Sequence, residues 1–274
     1  MSILTPTVIK QLCERYALNP SKKYGQNYLI SDAPIRKMIE AAEIKSGDVI
    51  YEIGPGFGVL TYALLEAGAQ VRAFEIEQKL RPYWEEQQKK YPNLEIIWGN
   101  ALRVWDEYSS REKMEYKVVA NLPYQITSEA LETILESARP PERVICMVQK
   151  EVAERIVAQP GDMSILAVAV QYFGTPRIVT RVGRGSFFPS PKVDSAVIEI
   201  SDIKKREGVD IFFKIVKSGF HHKRKMLANN LRDAYSLEKE VIEQHLESLN
   251  LPSGVRAESL SVEQWIKLAK LLTR

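Results

Sequence analysis

Asn121-Leu122-Pro123-Tyr124 follows a β-like run at 116–120 and has the side chains to prepare an aromatic amine for alkylation. A turn at a strand end there offers an amide oxygen, backbone carbonyls and an aromatic face. Those are what a flat base carrying an exocyclic amine requires. Such an amine is a poor nucleophile while its lone pair is delocalised into the ring. Two acceptors holding its hydrogens, the Asn121 side-chain oxygen and the carbonyl of Leu122 or Pro123, favour a tetrahedral nitrogen with its lone pair free. Tyr124 is placed to stack on the base. Once alkylated, the nitrogen is an acid and sheds its proton without a strong general base. No catalytic histidine is then demanded of a chain that has 3.

Upstream, another β-like run at 49–53 leads into Gly54-Pro55-Gly56-Phe57-Gly58. A dinucleotide fingerprint would place its third glycine at position 59, where Val59 stands. The G-x-G-x-G spacing lets the backbone approach a ligand at Gly54 and Gly56. It also aims helix N-terminal N–H groups at an anion, such as the methionine carboxylate of S-adenosylmethionine. Glu75 closes the next β-like run, where a carboxylate can accept hydrogen bonds from both ribose hydroxyls. Asn100, after the third run, can contact an adenine ring, and Phe57 or Ile76 can pack on its faces. The competing readings are a ligand-free tight turn, a solvated strand-end glutamate and a plain turn asparagine.

A base reaches such a pocket only by leaving its stack. Phe187, in Phe187-Phe188-Pro189-Ser190-Pro191-Lys192, is expected to supply a second aromatic wall on a proline-stiffened loop. Arg177, Arg181, Arg184 and Lys192 occur between Thr175 and Val193 with no carboxylate among them, which implies a positive rim. A second basic run, His221-His222-Lys223-Arg224-Lys225, is expected to open a helix and face phosphates, with Lys22-Lys23 extending the same surface. Adjacent histidines on a helix diverge and share no carboxylate or cysteine at ligand spacing, so no metal is expected.

The elements that must carry these residues alternate. Strands are expected at 49–53, 70–74, 94–98, 116–120 and 143–148, with helices at 59–67, 78–90 and near 128–137. That is a doubly wound, mostly parallel α/β sheet of the Rossmann-like class I methyltransferase kind. Runs at 177–182 and 193–200 lack a helix between them and suit an antiparallel pair at the sheet edge. Residues 201–208 read as a linker, and 209–274 as helical with a turn at Pro252-Ser253-Gly254. The division is therefore a methyltransferase domain at 1–203 and a small all-helical, RNA-binding domain at 204–274. Thr5-Pro6 reads as the cap and first turn of an N-terminal helix.

Composition is ordinary for a globular protein, with 274 residues, 45% hydrophobic and 27% charged. The net charge of +3 is too small to diagnose nucleic-acid binding, so that inference rests on clustering. Cys13 and Cys146 are the 2 cysteines and exclude a disulfide framework; Cys146, in an apolar run, reads as a buried structural thiol. No stretch suggests a signal or a membrane span, so a cytoplasmic, monomeric enzyme is expected.

With these motifs in order, the sequence resembles the KsgA-type small-subunit rRNA adenine dimethyltransferases over nearly its whole length. Lys22-Lys23-Tyr24-Gly25-Gln26-Asn27-Tyr28-Leu29 is similar to that family's N-terminal cofactor motif. Asn121-Leu122-Pro123-Tyr124 resembles its catalytic motif, and Phe187-x-Pro-x-Pro-Lys-Val-Asp-Ser195 its target-loop signature. The resemblance implies transfer of four methyl groups from S-adenosylmethionine to two adjacent adenosines in the 3′-terminal hairpin loop of small-subunit rRNA. The partner would be an assembling subunit. Asn27 and Leu29 would close the cofactor pocket, with Gly54, Glu75, Asn100 and Asn121 lining it. Asn100 departs from the family's usual aspartate, and the loop at 159–167 is shorter than usual.

Three rivals share parts of this pattern. An Erm-type large-subunit rRNA adenine methyltransferase has the same pocket logic. DNA adenine methyltransferases usually carry proline where Leu122 stands. A binding or assembly factor with dispensable catalysis would reuse the fold. The Pro-Lys-Val-Asp-Ser run and the C-terminal basic segment favour the small-subunit enzyme, and intact cofactor and catalytic motifs argue against a purely non-enzymatic role.

Overall fold

A computed structural model describes residues 4–18, 27–235 and 238–273. The expectation for Lys22-Lys23, and the part of the N-terminal motif before Asn27, lie outside the described residues.

The chain opens with α1 (Pro6–Arg15), whose Thr5 cap accepts from the Val8 N–H at 3.3 Å ahead of a first-turn proline. A two-residue strand β1 (Tyr28–Leu29) and α2 (Asp32–Ala42) precede the alternating series. That series runs β2 (Val49–Ile53), α3 (Val59–Glu66), β3 (Gln70–Glu75), α4 (Arg81–Gln88), β4 (Leu94–Trp98) and α5 (Ala101–Arg111). It continues through β5 (Tyr116–Asn121), α6 (Thr127–Glu136), β6 (Arg143–Gln149) and α7 (Lys150–Ile156). The helix expected over 78–90 is a one-turn 3₁₀ segment, Gln78–Leu80, followed by α4, because Pro82 lacks the N–H that would continue the ladder.

Further along lie α8 (Ile165–Phe173), β7 (Thr175–Val182), β8 (Phe187–Phe188) and β9 (Ser195–Ser201). The seven-stranded sheet has the order β4-β3-β2-β5-β6-β9-β7. Strands β4 through β6 are parallel, while β9 runs antiparallel to β6 and β7 antiparallel to β9. All five residues of β2 are buried, as expected of a central parallel strand covered on both faces. Order reverses between β2 and β5, and at such a switch point a crevice opens beyond the carboxyl ends of the strands. Separately, β1 and β8 form an antiparallel pair, Leu29 opposite Phe187, extended by an Ile30 N–H bond to the Ser186 carbonyl at 2.8 Å.

The chain divides into two compact units, one of residues 1–153 and 175–205, the other of 154–174 and 206–274. The second holds α8 with α9 (Val209–Gly219), α10 (Leu227–Tyr235), α11 (Lys239–Ser248) and α12 (Val262–Leu272). A boundary at 203/204 leaves α8 in the first domain, but its Tyr172 ring stacks on Phe212 of α9 at 4.0 Å between centroids. Aromatic packing therefore assigns 154–174 to the helical unit. No helix among the described residues is long and apolar enough to cross a membrane.

Of the three glycines after β2, Gly58 has a packing role. It sits at φ +84° as the N-cap of α3, and a Cβ there would stand 2.8 Å from both Trp84 and Tyr62 side-chain atoms. Gly58→Ala is expected to destabilise the fold by about 2–3 kcal/mol from left-handed strain and overpacking, lowering the melting midpoint by about 4–10 °C. An unchanged melting curve would remove the packing role.

Candidate active site

The parallel register sets the site. With Ile53 opposite Phe74, Glu75 opposite Trp98 and Asn121 opposite Met147, each of these strands ends at the same edge. The glycine turn and the Asn121–Tyr124 turn then face each other, since a Cβ on Gly54 would lie 3.9 Å from the Pro123 ring. Two cavities occupy the crevice and share Gly54, Ile76 and Pro123 as a common wall. The first is lined by Asn27, Leu29, Gly56, Glu75 and the Asn121–Tyr124 turn. The second is lined by Asn100, Gly99 and Phe74.

Glu75 is almost completely buried and held by backbone donors: the Glu77 N–H at 2.7 Å and the Gly56 N–H at 3.3 Å. Burial outweighs these bonds and pushes its carboxyl up to about 7. Glu52, one residue before the end of β2, lines the same cavity and was not singled out in the sequence. It accepts the Thr61 hydroxyl at 2.7 Å, and burial pushes it up to about 8. Neither carboxylate has an ion-pair partner among the described residues. The signal was there: an acid inside an otherwise apolar central strand is costly to bury and calls for a partner.

Asn100 faces the second cavity and caps α5, its Oδ1 accepting from the Leu102 N–H at 3.0 Å. One acceptor position of the amide is therefore already used. An aspartate could make the same cap. Of the two side chains considered for packing on an adenine ring, Phe57 is 1% exposed and Ile76 45% exposed. Only Ile76 offers a free apolar face.

Asn121 ends β5, half-buried at the cavity wall. The Pro123 carbonyl already accepts from the Ile126 N–H at 3.1 Å and the Thr127 hydroxyl at 3.3 Å. Its lone pairs are engaged, so the Leu122 carbonyl is the better second acceptor for an incoming amine. The Tyr124 ring is half-buried, and its hydroxyl lies 2.6 Å from Ser195 Oγ.

Phe187 does not stand at this pocket. Pairing with Leu29 turns it into the core, where it is 3% exposed, and it lines neither cavity. Its neighbour Phe188 is half-buried, with Lys10 Nζ 5.6 Å from the ring centre. The register alternates faces, so the more accessible ring of the pair is the one the motif spacing passes over.

Among the basic residues, Arg181, Arg184 and Lys192 are exposed, whereas Arg177 is ion-paired with the buried Glu199 of β9. The stretch Thr175–Val193 lacks acids in sequence but not in space. His221 to Lys225 form an exposed turn between α9 and α10 and do not open a helix. Asn230, buried on α10, donates to the carbonyls of Gly219 at 2.6 Å and His222 at 3.2 Å and so braces that turn. Lys225 meets Asp233 at 3.6 Å, so this cluster also has a compensating acid. No group of three or more potential metal-ligating side chains occurs among the described residues.

A sequence profile described as ribosomal RNA adenine dimethylase matches residues 17–274. The chain belongs to that family. It is 41% identical to the ribosomal RNA small subunit methyltransferase A of Dehalococcoides mccartyi over 94% of this chain and 90% of that protein. To the Streptococcus thermophilus protein of the same name it is 35% identical, over 99% and 98%. A dimethyladenosine transferase from Plasmodium falciparum superposes with a TM-score of 0.73 at 28% identity, covering 88% of this chain and 95% of that one. The 23S rRNA methyltransferase ErmE gives 0.69 at 25%, covering 90% and 100%. Family, relatives and fold make the chain an rRNA adenine dimethyltransferase of the small-subunit type.

The buried carboxylates give the site a pH signature. Both are raised from an ordinary value of 4.5, so each contributes stability that is complete below that value and lost as pH rises through its folded value. For Glu52 that loss falls between about pH 4.5 and about 8. Glu52→Gln removes the ionisation, so its melting temperature relative to wild type is expected to rise from about pH 5 to about pH 8 and to level off above that. A constant difference across that range would mean that Glu52 titrates alike in the folded and the unfolded chain, so that burial does not raise it.

Proposed function

We propose that this enzyme uses S-adenosylmethionine to dimethylate the N6 amines of two adjacent adenosines in the 3′-terminal hairpin loop of small-subunit rRNA, on an assembling subunit. The observation that carries the reading is the meeting of the Asn121–Tyr124 turn with Gly54 and Glu75 in one crevice. The names of the relatives supply the RNA; the crevice supplies the chemistry.

The residues present fit the methyl donor. The glycines leave room beside Pro123 and Tyr28, where a Cβ on Gly56 would crowd the Tyr28 ring at 3.3 Å. Bound there, S-adenosylmethionine supplies an electrophilic methyl group. Glu75 is placed to accept from ribose hydroxyls, Asn100 and Ile76 to hold the adenine, and Asn27, Leu29 and Gly56 to close the cavity around the rest. On the target side, the Asn121 oxygen and the Leu122 carbonyl accept the amine's two hydrogens, and Tyr124 stacks on the base. After transfer, the extra proton leaves the nitrogen for water.

Docking would fall to the exposed basic groups. Arg181, Arg184 and Lys192 lie beside the target loop of the first unit, and Lys223, Arg224 and Lys225 on the exposed turn of the second. Each neutralised phosphate releases counterions, which makes such docking salt-dependent. The substrate would place the enzyme in the cytoplasm, acting as a monomer.

The decisive experiment incubates the protein with labelled S-adenosylmethionine and, in parallel, with small subunits and with large subunits lacking the modification, then maps label along each rRNA. Label in the 3′-terminal hairpin supports the reading, and label only on large-subunit RNA would replace it with the ErmE-like one. In the same assay Asn121→Ala is expected to lower turnover by at least about 100-fold, with cofactor affinity within about tenfold, because the amide acts mainly in the transition state. Near-wild-type turnover would take Asn121 out of the mechanism. Replacing Lys223, Arg224 and Lys225 together with alanine is expected to weaken subunit binding and reduce the log–log salt slope by about 2–3. Unaltered binding across a salt series would shift docking to the target-loop rim.

A further inference from the structure

The contact between Tyr124 and Ser195 is not explained by packing alone. Tyr124 begins the one-turn 3₁₀ segment Tyr124–Ile126, three residues beyond the end of β5. Ser195 is the first residue of β9, paired in register with Gln149 of β6 on one side and Val182 of β7 on the other. Since β6 lies between β5 and β9, the tyrosine must reach across the carboxyl end of β6 to make the bond. Its ring is thereby fixed at both ends: at Cβ by the 3₁₀ turn, and at the hydroxyl by a fully buried serine 2.6 Å away.

The residue before Ser195 performs the matching task on the loop. The Asp194 carboxylate accepts from the Arg184 N–H at 3.0 Å, and its carbonyl accepts from the Lys150 N–H at 3.0 Å. Ser190 Oγ in turn donates to the Arg184 carbonyl at 3.0 Å. One dipeptide at the head of β9 thus holds the start of the target loop with one side chain and the stacking ring with the other.

We propose that Ser195 is a positioning residue for methyl transfer, fixing the Tyr124 ring as a preset stacking face above the amine acceptors Asn121 and Leu122; this rests on the adenine-methylation reading above. Its effect is on the reacting geometry, where a small displacement costs rate more than binding. Without that bond the ring is free to tilt out of the stacking plane above the amine acceptors. The serine lines neither cavity of the crevice.

The test combines a mutant cycle with a measurement that needs no substrate. Tyr124→Phe and Ser195→Ala each delete one side of the same bond, and the phenylalanine variant keeps the ring and its packing. Each is expected to lower turnover on unmodified small subunits by about three- to tenfold, the worth of one neutral hydrogen bond. Subunit KM and cofactor Kd are expected to stay within about twofold, and the double variant to be no slower than either single one, since nothing further is lost. In ¹³C-tyrosine NMR of the full chain, the Tyr124 ring is expected to flip faster in Ser195→Ala than in wild type. Wild-type turnover in either single variant, losses that multiply in the double variant, or an unchanged flip rate would each overturn the proposal. If wild-type protein labels no subunit RNA, the functional reading fails instead, and the ring-flip comparison still decides whether Ser195 holds the ring.

Discussion

Everything at the site depends on β2 pairing in parallel with two neighbours, β3 on one edge and β5 on the other. Parallel pairing puts carboxyl ends side by side, and the reversal of strand order between β2 and β5 parts the connecting segments above them. Gly54 leaves β2 into that gap at φ +71°, a conformation that side chains rarely adopt, and Pro123 closes it from β5. A register slip on either edge would separate the glycine turn from the amine-holding turn. The all-buried sequence of β2 guards against that, because its side chains have a defined place on both faces of the sheet.

The same crevice holds two buried carboxylates. Glu52 and Glu75 are carboxylates in a largely apolar cavity, secured by hydroxyl and backbone donors but, among the described residues, by no cation. Desolvation therefore dominates and shifts both toward the protonated form. Ribose hydroxyls and a cationic methyl donor are the sort of guest that reverses this shift.

Local signals in the sequence located the glycine turn, Glu75 and the Asn121–Tyr124 turn, because each sits where a strand ends and the strands have clear apolar periodicity. What escaped depended on contacts distant in sequence. Phe187 read as an exposed wall because nothing in its neighbourhood reveals the two-residue pairing with Tyr28 and Leu29 that buries it. The basic run at 221–225 has the composition of a helix start, but α9 stops at Gly219, where a Cβ would stand 2.4 Å from the Trp265 ring, and the run forms a turn. Residues 154–174 follow a parallel strand in sequence yet pack with the helical unit through Tyr172 and Phe212. Ser195 was quoted as part of a motif, but its partner lies on a different turn and only the fold brings them together.

Substrate choice must come from outside the crevice. The fold of this chain superposes on a dimethyladenosine transferase and on a 23S rRNA methyltransferase with similar closeness. A pocket that takes an unstacked adenine reads the base, and every RNA offers adenines. Which adenine arrives is decided by groups that touch the RNA elsewhere, and here the exposed cations differ in their freedom to do so. Arg177 is held by the buried Glu199, and Lys225 is partnered by Asp233, so each would lose a protein contact on meeting a phosphate. Arg184 is fixed through its backbone by Asp194, which leaves its guanidinium exposed at a defined point on the loop. A cation anchored by its main chain presents its charge with less entropy to lose than one on a mobile segment. On the docking proposed above, Arg184 is the cation best suited to turn a general attraction to RNA into a preference for one loop.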